Sequence, residues 1–220
     1  MKIKLAVFDL DGTVVNTLPD IAHVNNSILK SYGFKEHDLT SYRNFVGWGL
    51  RRTLEMSLPE GVPQKLSEEI YNRLSTEYNS SSVVYSEVYR GINDILGFLN
   101  NKNIRTIIYT NKPQRPAEII IEHFFKNNFF SDILGSGGIY PDKPDPSALV
   151  AYMNKTGVKT SEVIFVGDSE IDLNTAVNSG VHFLCAGWGF RSPESLKQAG
   201  ADNIFTLPEE LYRWLLKNIE

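Results

Sequence analysis

Short apolar runs alternate with helix-like segments along the later part of the chain, from Gly91 onward. The predicted strands are 105–109 (RTIIY), 132–136 (DILGS), 162–166 (EVIFV) and 181–186 (VHFLCA). The predicted helices are 92–99, 116–125, 145–157, a segment that ends at Gly180, and 192–200. A further apolar run, Leu5 to Phe8, predicts a strand close to the first residue. This alternation predicts a parallel sheet with helices on both faces, a doubly wound α/β fold.

A block of about 70 residues between the first strand and this region has helical patterns instead. Ile21, Val24 and Ile28 share one face of a helix that Gly33 would end. Apolar residues then recur every four positions, at Leu66, Ile70, Leu74 and Tyr78. The pattern predicts no strand between Val15 and Tyr85, and only a short polar connector at 79–82 (NSSS).

The first strand is needed in the sheet, so the helical block is an insertion and not a separate N-terminal domain. We expect the chain to leave the core after this strand and to return near Tyr89. The predicted domains are a core of residues 1–15 and 88–220, and a helical cap of residues 16–87.

Composition narrows the class of protein without changing this fold. The chain has 220 residues, 42% of them hydrophobic, as in a globular protein with a real core. A net charge of −4 gives no reason to expect nucleic acid or a membrane as a partner. The single cysteine, Cys185, fits a reducing compartment. Since no apolar run approaches the roughly 20 residues that span a bilayer, we expect a cytoplasmic protein. The composition does not indicate the oligomeric state.

Polar side chains follow several predicted strands at their carboxyl ends, where open parallel sheets bind ligands. Asp9 and Asp11 follow the first strand, and Thr110 and Asn111 follow RTIIY. Asp168 follows EVIFVG, with Asp172 four residues later. Lys143 lies in a loop before a predicted helix that Asp145 would cap, with Pro146 in its first turn and Gly157 at its end. These segments are therefore expected to converge on one crevice.

The chemistry of this set is coherent. Several carboxylates brought together repel one another and need a cation, and oxygen ligands without His or Cys favour Mg²⁺. Mg²⁺ usually shares its site with a phosphate, whose other oxygens Lys143 and a hydroxyl would bind. Gly12 would let the backbone approach that phosphate closely. One acid could then act as a nucleophile and the other as a general acid and base.

Four motifs in the right order resemble the haloacid dehalogenase superfamily. DLDGT (9–13) is similar to its first motif, Thr110 to the second, Lys143 to the third, and GDSEID (167–172) to the fourth. Further stretches resemble the phosphoglycolate phosphatases within it: VGWGL (46–50), TNKP (110–113), DKPDP (142–146) and AGWGFRS (186–192). Arg90 departs from that pattern, because relatives often carry Pro at this position.

The resemblance implies a Rossmann-like core with a small C1-type cap, and a Mg²⁺-dependent phosphatase acting on a small phosphorylated substrate, 2-phosphoglycolate first. It implies that Asp9 is the nucleophile and a Mg²⁺ ligand, and that Asp11 is the general acid and base with its backbone carbonyl on the metal. It implies that four residues bind the phosphoryl oxygens: Gly12, Thr110, Asn111 and Lys143. Asp168 would ligate Mg²⁺, and Asp172 would support the metal site or Lys143.

Other activities on the same scaffold remain open at this point. A sugar phosphomutase shares all four motifs, and a pyrophosphatase is a further alternative. A dehalogenase would need only the first acid, so Asp11 argues against it. A phosphorylation-dependent receiver domain also combines acids, a Thr and a Lys on a parallel sheet, but it has about 120 residues and no helical insertion.

Overall fold

A six-stranded parallel sheet lies at the centre of the computed structural model, which describes residues 1–80, 83–126 and 129–219. In chain order the strands are β1 (Leu5–Phe8), β2 (Val15–Asn16), β3 (Glu87–Val88), β4 (Arg105–Pro113), β5 (Asp132–Ser136), β6 (Val163–Gly167), β7 (His182–Ala186) and β8 (Ile204–Phe205). The sheet order is β5-β4-β1-β6-β7-β8, and every neighbouring pair is parallel. The predicted strands are confirmed, except that β4 continues through Pro113, so Thr110 and Asn111 lie within this strand and do not follow it. Strand β1 lies in the middle of the sheet.

Helices cover both faces of this sheet, so the predicted doubly wound, Rossmann-like fold is confirmed. They are α1 (Leu18–Ser31), α2 (Leu39–Phe45), α3 (Leu50–Ser57), α4 (Gln64–Ser80), α5 (Ile92–Asn101), α6 (Gln114–Phe124), α7 (Ser147–Thr156), α8 (Glu170–Ser179), α9 (Pro193–Gln198) and α10 (Pro208–Asn218). In β1, Ala6 and Phe8 pack with α5, α6 and α10, whereas Leu5 and Val7 pack with α7 and α8. This is the two-residue alternation of a strand buried on both faces.

The helices α1 to α4 pack around an apolar cluster of their own, which includes Ile28, Tyr42, Leu54, Ile70 and Leu74. The chain enters and leaves this block through an antiparallel pair, β2 with β3, in which Val15 lies opposite Val88. The prediction of a stretch without strands is therefore wrong at its first two residues, because a pair this short leaves no periodic pattern. The domain boundaries at 16 and 87 stay a prediction.

Two local predictions change at helix ends. Helix α7 begins at Ser147 and not at Asp145, although the Asp145 carboxylate does accept a hydrogen bond from the Ser147 N–H (2.8 Å) and Gly157 ends the helix. Helix α4 continues through Ser80, so the predicted connector is helical there, and positions 81 and 82 lie outside the described residues. In the described part of the chain, no helix has the length and apolar character needed to cross a membrane.

Candidate active site

Asp9 extends the central strand β1 by one residue and lies at its carboxyl end. Its backbone N–H donates to the Val166 carbonyl of β6 (2.9 Å), which continues the sheet beyond Phe8. Its carboxylate Oδ1 accepts a hydrogen bond from the Leu10 N–H (2.7 Å) and contacts Lys143 Nζ at 3.0 Å. The chain turn after Asp9 thus holds this buried carboxylate in a fixed orientation at the sheet edge.

The neighbouring strand β6 leads directly into α8, and this junction positions two more acids. Asp168 is the first residue after β6, and Ser169 caps α8 in a reciprocal pair with Asp172. The Ser169 side chain accepts from the Asp172 N–H (3.3 Å), while Asp172 Oδ2 accepts from the Ser169 N–H (3.1 Å) and hydroxyl (2.6 Å). This capping box turns the Asp172 side chain back toward the sheet edge.

Lys143 is buried between the acids of both strands. Its Nζ lies 2.5 Å from Asp172 Oδ1 and 3.0 Å from Asp9 Oδ1. Burial by itself disfavours the ammonium, but the two carboxylates outweigh it and raise the pKa of Lys143 above its ordinary value. Lys143 is therefore a permanent cation at this edge, and Asp172 is its nearer partner.

The side chain of Asn111, at the end of β4, binds backbone groups. Its Oδ1 accepts from the Lys143 N–H (2.8 Å), and its Nδ2 donates to the carbonyls of Lys143 (3.0 Å) and Gly47 (3.1 Å). It joins the Lys143 loop to the loop between α2 and α3. Thr110, two residues after Ile108, is buried and its hydroxyl accepts from the Lys112 N–H (3.2 Å).

Gly12 lies against Asp168. It has a φ of +83°, and a Cβ at this position would be 2.4 Å from Asp168 Oδ2. Asp168 also accepts hydrogen bonds from the Thr13 hydroxyl (3.1 Å, on Oδ1) and from the Phe190 N–H (2.7 Å, on Oδ2). The glycine therefore has two local functions here, since it adopts the left-handed turn and leaves room for this acid.

Asp9, Asp168 and Asp172 form a buried cluster whose nearest carboxylate oxygens lie within 4.8 Å of one another. Burial raises the pKa of Asp9 to about 7, against the effect of Lys143, and burial raises the pKa of Asp168 well above its ordinary value. Asp9 and Asp172 share the Lys143 ammonium, so the three carboxylates and this lysine together carry two negative charges when all of them are ionised. A divalent cation with a preference for oxygen ligands, such as Mg²⁺, fits both this charge and this donor set.

Asp11 has a cationic partner of its own, which the sequence interpretation missed. Lys112 Nζ lies 3.0 Å and 3.2 Å from the two Asp11 carboxylate oxygens, and Oδ1 also accepts from the Thr17 hydroxyl (2.6 Å). Lys112 Nζ donates as well to the Tyr78 hydroxyl on α4. The two-residue repeat of a strand puts Lys112 on the same face as Thr110, and this was the available signal.

A small cavity separates the helices α1 to α4 from the sheet edge. It encloses about 50 Å³ and is lined by Asp9, Asp11 and Asp168 from the sheet side and by Leu50, Thr53 and Tyr78 from the helical side. Arg191, after β7, connects the two sides: it pairs with Glu170 (3.1 Å) and donates to the Val46 carbonyl (3.0 Å). Five of the residues predicted at the crevice line this cavity: Asp9, Asp11, Thr110, Asn111 and Asp168. The other three lie against lining residues, Gly12 against Asp168, Lys143 against Asp9, and Asp172 against Ser169.

Comparisons with known proteins agree with this arrangement. The sequence profile of the haloacid dehalogenase-like hydrolases matches residues 6–186. A phosphoglycolate phosphatase of Pseudomonas syringae pv. tomato is 34% identical over 195 residues, which cover 85% of this chain and 70% of that protein. The phosphoglycolate phosphatase of Aliivibrio fischeri is 26% identical over 206 residues and covers 91% of both.

A solved structure shares the fold over nearly the whole chain. A candidate phosphoglycolate phosphatase from Lactobacillus delbrueckii subsp. bulgaricus superposes with a TM-score of 0.89 at 26% identity, covering 98% of this chain and 99% of that one. The chain belongs to the haloacid dehalogenase-like hydrolase family. Its relatives and its fold together support a phosphatase enzyme that acts on small phosphorylated substrates.

Proposed function

We propose that this chain is a Mg²⁺-dependent phosphatase that hydrolyses 2-phosphoglycolate through an aspartyl-phosphate on Asp9. The observation that carries the proposal is the state of the Asp9 carboxylate. Among the described residues, the Leu10 N–H and Lys143 Nζ both contact Oδ1 of this carboxylate. Oδ2 is then the oxygen available for attack, at the wall of a small cavity.

The proposed reaction divides between the two acids of the β1 loop. Asp9 Oδ2 attacks the phosphorus atom, and the bond from phosphorus to the ester oxygen breaks. This step requires Asp11, which lines the same cavity, in its protonated form, and the Asp11 carboxyl gives that proton to the departing alkoxide. It then takes a proton from the water that attacks the aspartyl-phosphate, and inorganic phosphate leaves as Asp9 is regenerated.

The cationic and polar groups around Asp9 would hold the phosphoryl group. Lys143 is a fixed positive charge beside the nucleophile and would neutralise a phosphoryl oxygen. Thr110 and the backbone around Gly12 would supply hydrogen bonds. Because the Asn111 side chain binds both the backbone N–H and the backbone carbonyl of Lys143, we assign it to positioning Lys143, with only the Asn111 backbone available to the phosphoryl group.

Asp9, Asp168 and the backbone carbonyl of Asp11 would hold Mg²⁺. The supporting observation is the excess negative charge of the buried cluster, which Lys143 only partly compensates. When bound, the metal would neutralise charge on the phosphoryl oxygens and so favour attack by an anionic carboxylate. Asp172 keeps Lys143 in place and is assigned a supporting function.

The helical block, residues 16–87, would act as a lid that excludes water and selects the substrate. The cavity between this block and the sheet edge is narrow, which supports a small substrate. The choice of 2-phosphoglycolate rests on the names of the relatives, two of which align over 85% and 91% of this chain.

The decisive experiment measures phosphate release from 2-phosphoglycolate, pyrophosphate, sugar phosphates and nucleotides, with Mg²⁺ and then with EDTA. We expect 2-phosphoglycolate to have the highest kcat/KM, EDTA to abolish turnover, and Asp9→Asn to be inactive while the exposed control Asp202→Asn is unchanged. Activity undiminished by EDTA would refute metal dependence. Conversion of a sugar phosphate to its isomer without phosphate release would identify a phosphomutase instead.

A second experiment separates the two acids. Asp11→Asn should slow the first turnover of an alkyl phosphate by about 10²–10⁴-fold. An aryl phosphate needs no proton on its leaving group, so one equivalent of phenol should still appear rapidly. Phosphorylated Asp9 should then accumulate and be detectable by mass spectrometry after acid quenching. Equal slowing of both esters without a trapped intermediate would contradict this division.

A further inference from the structure

A chain of contacts connects the helical block to the proposed general acid. It begins at Tyr78, near the end of α4, which is 6% exposed and whose hydroxyl accepts a hydrogen bond from Lys112 Nζ. The ammonium also lies 4.9 Å from the centre of the tyrosine ring. Lys112 itself comes from the end of β4 in the sheet and is 6% exposed. The contact therefore joins a residue of the helical block to a residue of the core.

Lys112 continues this chain to Asp11. Its ammonium contacts both carboxylate oxygens, at 3.0 Å and 3.2 Å. Lys112 is not the counter-ion of the neighbouring carboxylate cluster, because Lys143 is the cation in contact with Asp9 and Asp172. Within residues 1–80, 83–126 and 129–219, the carboxylate that pairs with Lys112 is that of Asp11.

We propose that Lys112 is a positioning residue for Asp11, and that Tyr78 makes this positioning depend on the placement of the helical block. The inference rests on the proposed function, in which Asp11 transfers the proton. A lysine ammonium sits on a flexible four-carbon stem, so one carboxylate contact leaves it several rotamers. The Tyr78 hydroxyl adds a partner on a second side and restricts Lys112 to the rotamer that spans both Asp11 oxygens. If α4 moves away from the sheet, Lys112 loses that restraint and Asp11 is held less firmly.

The first test uses the rate of the first turnover with an alkyl and an aryl phosphate. Lys112→Met should slow the alkyl ester by about 10–100-fold, as expected for a misplaced catalytic group. The phenol burst from the aryl ester should change by less than about threefold, since that step needs no proton from Asp11. Tyr78→Phe should give the same selectivity with a smaller loss, about threefold to tenfold. Tyr71→Phe, on the same helix with its ring against Arg51, is the control and should match the wild type.

A double-mutant cycle tests whether Lys112 acts through Asp11. In the Asp11→Asn background, Lys112→Met should cost at most about a further twofold on the alkyl ester. A residue that merely stabilised the fold would lower the rate in both backgrounds by the same factor. Crystal structures of Tyr78→Phe and Lys112→Met should also show the Asp11 carboxylate rotated away from its present position.

The outcomes separate this inference from the proposed function. A wild-type protein without Mg²⁺-dependent phosphatase activity would overturn the proposed function first. A wild-type protein that is active, with variants that slow both esters equally or with additive losses in the cycle, would overturn only the positioning of Asp11. If Lys112→Met does not fold, Tyr78→Phe decides: unchanged alkyl turnover and an unmoved Asp11 carboxylate would refute the proposal.

Discussion

Replacing Asp172 with asparagine would show whether this residue holds Lys143 in place or acts as a metal ligand. Both oxygens of this fully buried carboxylate accept hydrogen bonds, Oδ1 from Lys143 Nζ at 2.5 Å and Oδ2 from the Ser169 N–H and hydroxyl at 3.1 Å and 2.6 Å. An amide has one acceptor oxygen. In Asp172→Asn, the amide NH₂ must therefore face either the ammonium or the serine donors.

The size of the effect follows from the partners that remain. Removing one member of a buried ion pair costs about 3–5 kcal/mol when the other charge is left alone. Lys143 would keep Asp9 at 3.0 Å, and the cluster would lose one of its repelling charges, so we expect the lower end, about 3 kcal/mol. For a chain of this size that free energy corresponds to a fall in Tm of about 6–12 °C.

Thermal unfolding with EDTA and with Mg²⁺ is the appropriate assay, with the exposed Asp202→Asn as the matched control. Asp172→Asn should unfold at a lower temperature in EDTA, and added Mg²⁺ should still raise its Tm. The opposite result would refute the reasoning: if Asp172 were principally a metal ligand, the variant would be as stable as the wild type in EDTA, or more stable, and would no longer respond to Mg²⁺.

Three further predictions concern the metal cluster, its glycine and the connection between the helical block and the core. Burial raises the pKa of Asp9 to about 7 and also that of Asp168, so these two carboxyls bind more protons in the metal-free native state than in the unfolded chain between pH 4 and 7. Their contribution to stability therefore falls as the pH rises over this range. The gap between Tm in Mg²⁺ and Tm in EDTA should widen accordingly, and a constant gap would contradict the prediction. Gly12→Ala should lower the free energy of unfolding in urea by more than Gly33→Ala, and it should also lower phosphatase activity. Both glycines have positive φ (+83° and +74°), but only a Cβ at Gly12 would meet a neighbour, Asp168, within 4 Å. Equal losses of unfolding free energy in the two variants would exclude this contact as the cause. Asp20→Ala should lower the free energy of unfolding in urea by about 3 kcal/mol. The reason is that the Asp20 carboxylate accepts hydrogen bonds from three consecutive backbone N–H groups of the segment that returns to the core. A loss below about 1 kcal/mol would contradict a stabilising contact between Asp20 and this segment.

The hydrophobic pattern was sufficient to predict the core of the fold and the place of the crevice. Strand β1 is apolar on both faces, as only a central strand of a covered sheet can be, and Asp9 follows its last residue. In a parallel sheet the carboxyl ends of all strands lie on the same edge, so the sequence predicts Asp9, Thr110 and Asp168 at that edge. They line one cavity because β4 and β6 lie on either side of β1. The order of the strands along the chain and the residues that follow them were therefore enough to predict these members of the site.

The partner of each charged group was decided only by the tertiary structure. Asp11 binds Lys112, which is 101 positions away, and Lys112 binds Tyr78 of a different structural block. The pair β2 with β3 joins Val15 to Val88 through two residues on each side, too few to repeat a pattern. Local periodicity reports which face of an element is buried, but it contains no information on which distant element covers that face. The choice between possible counter-ions depends on packing distances of a few ångströms, and these exist only once the helices have docked on the sheet.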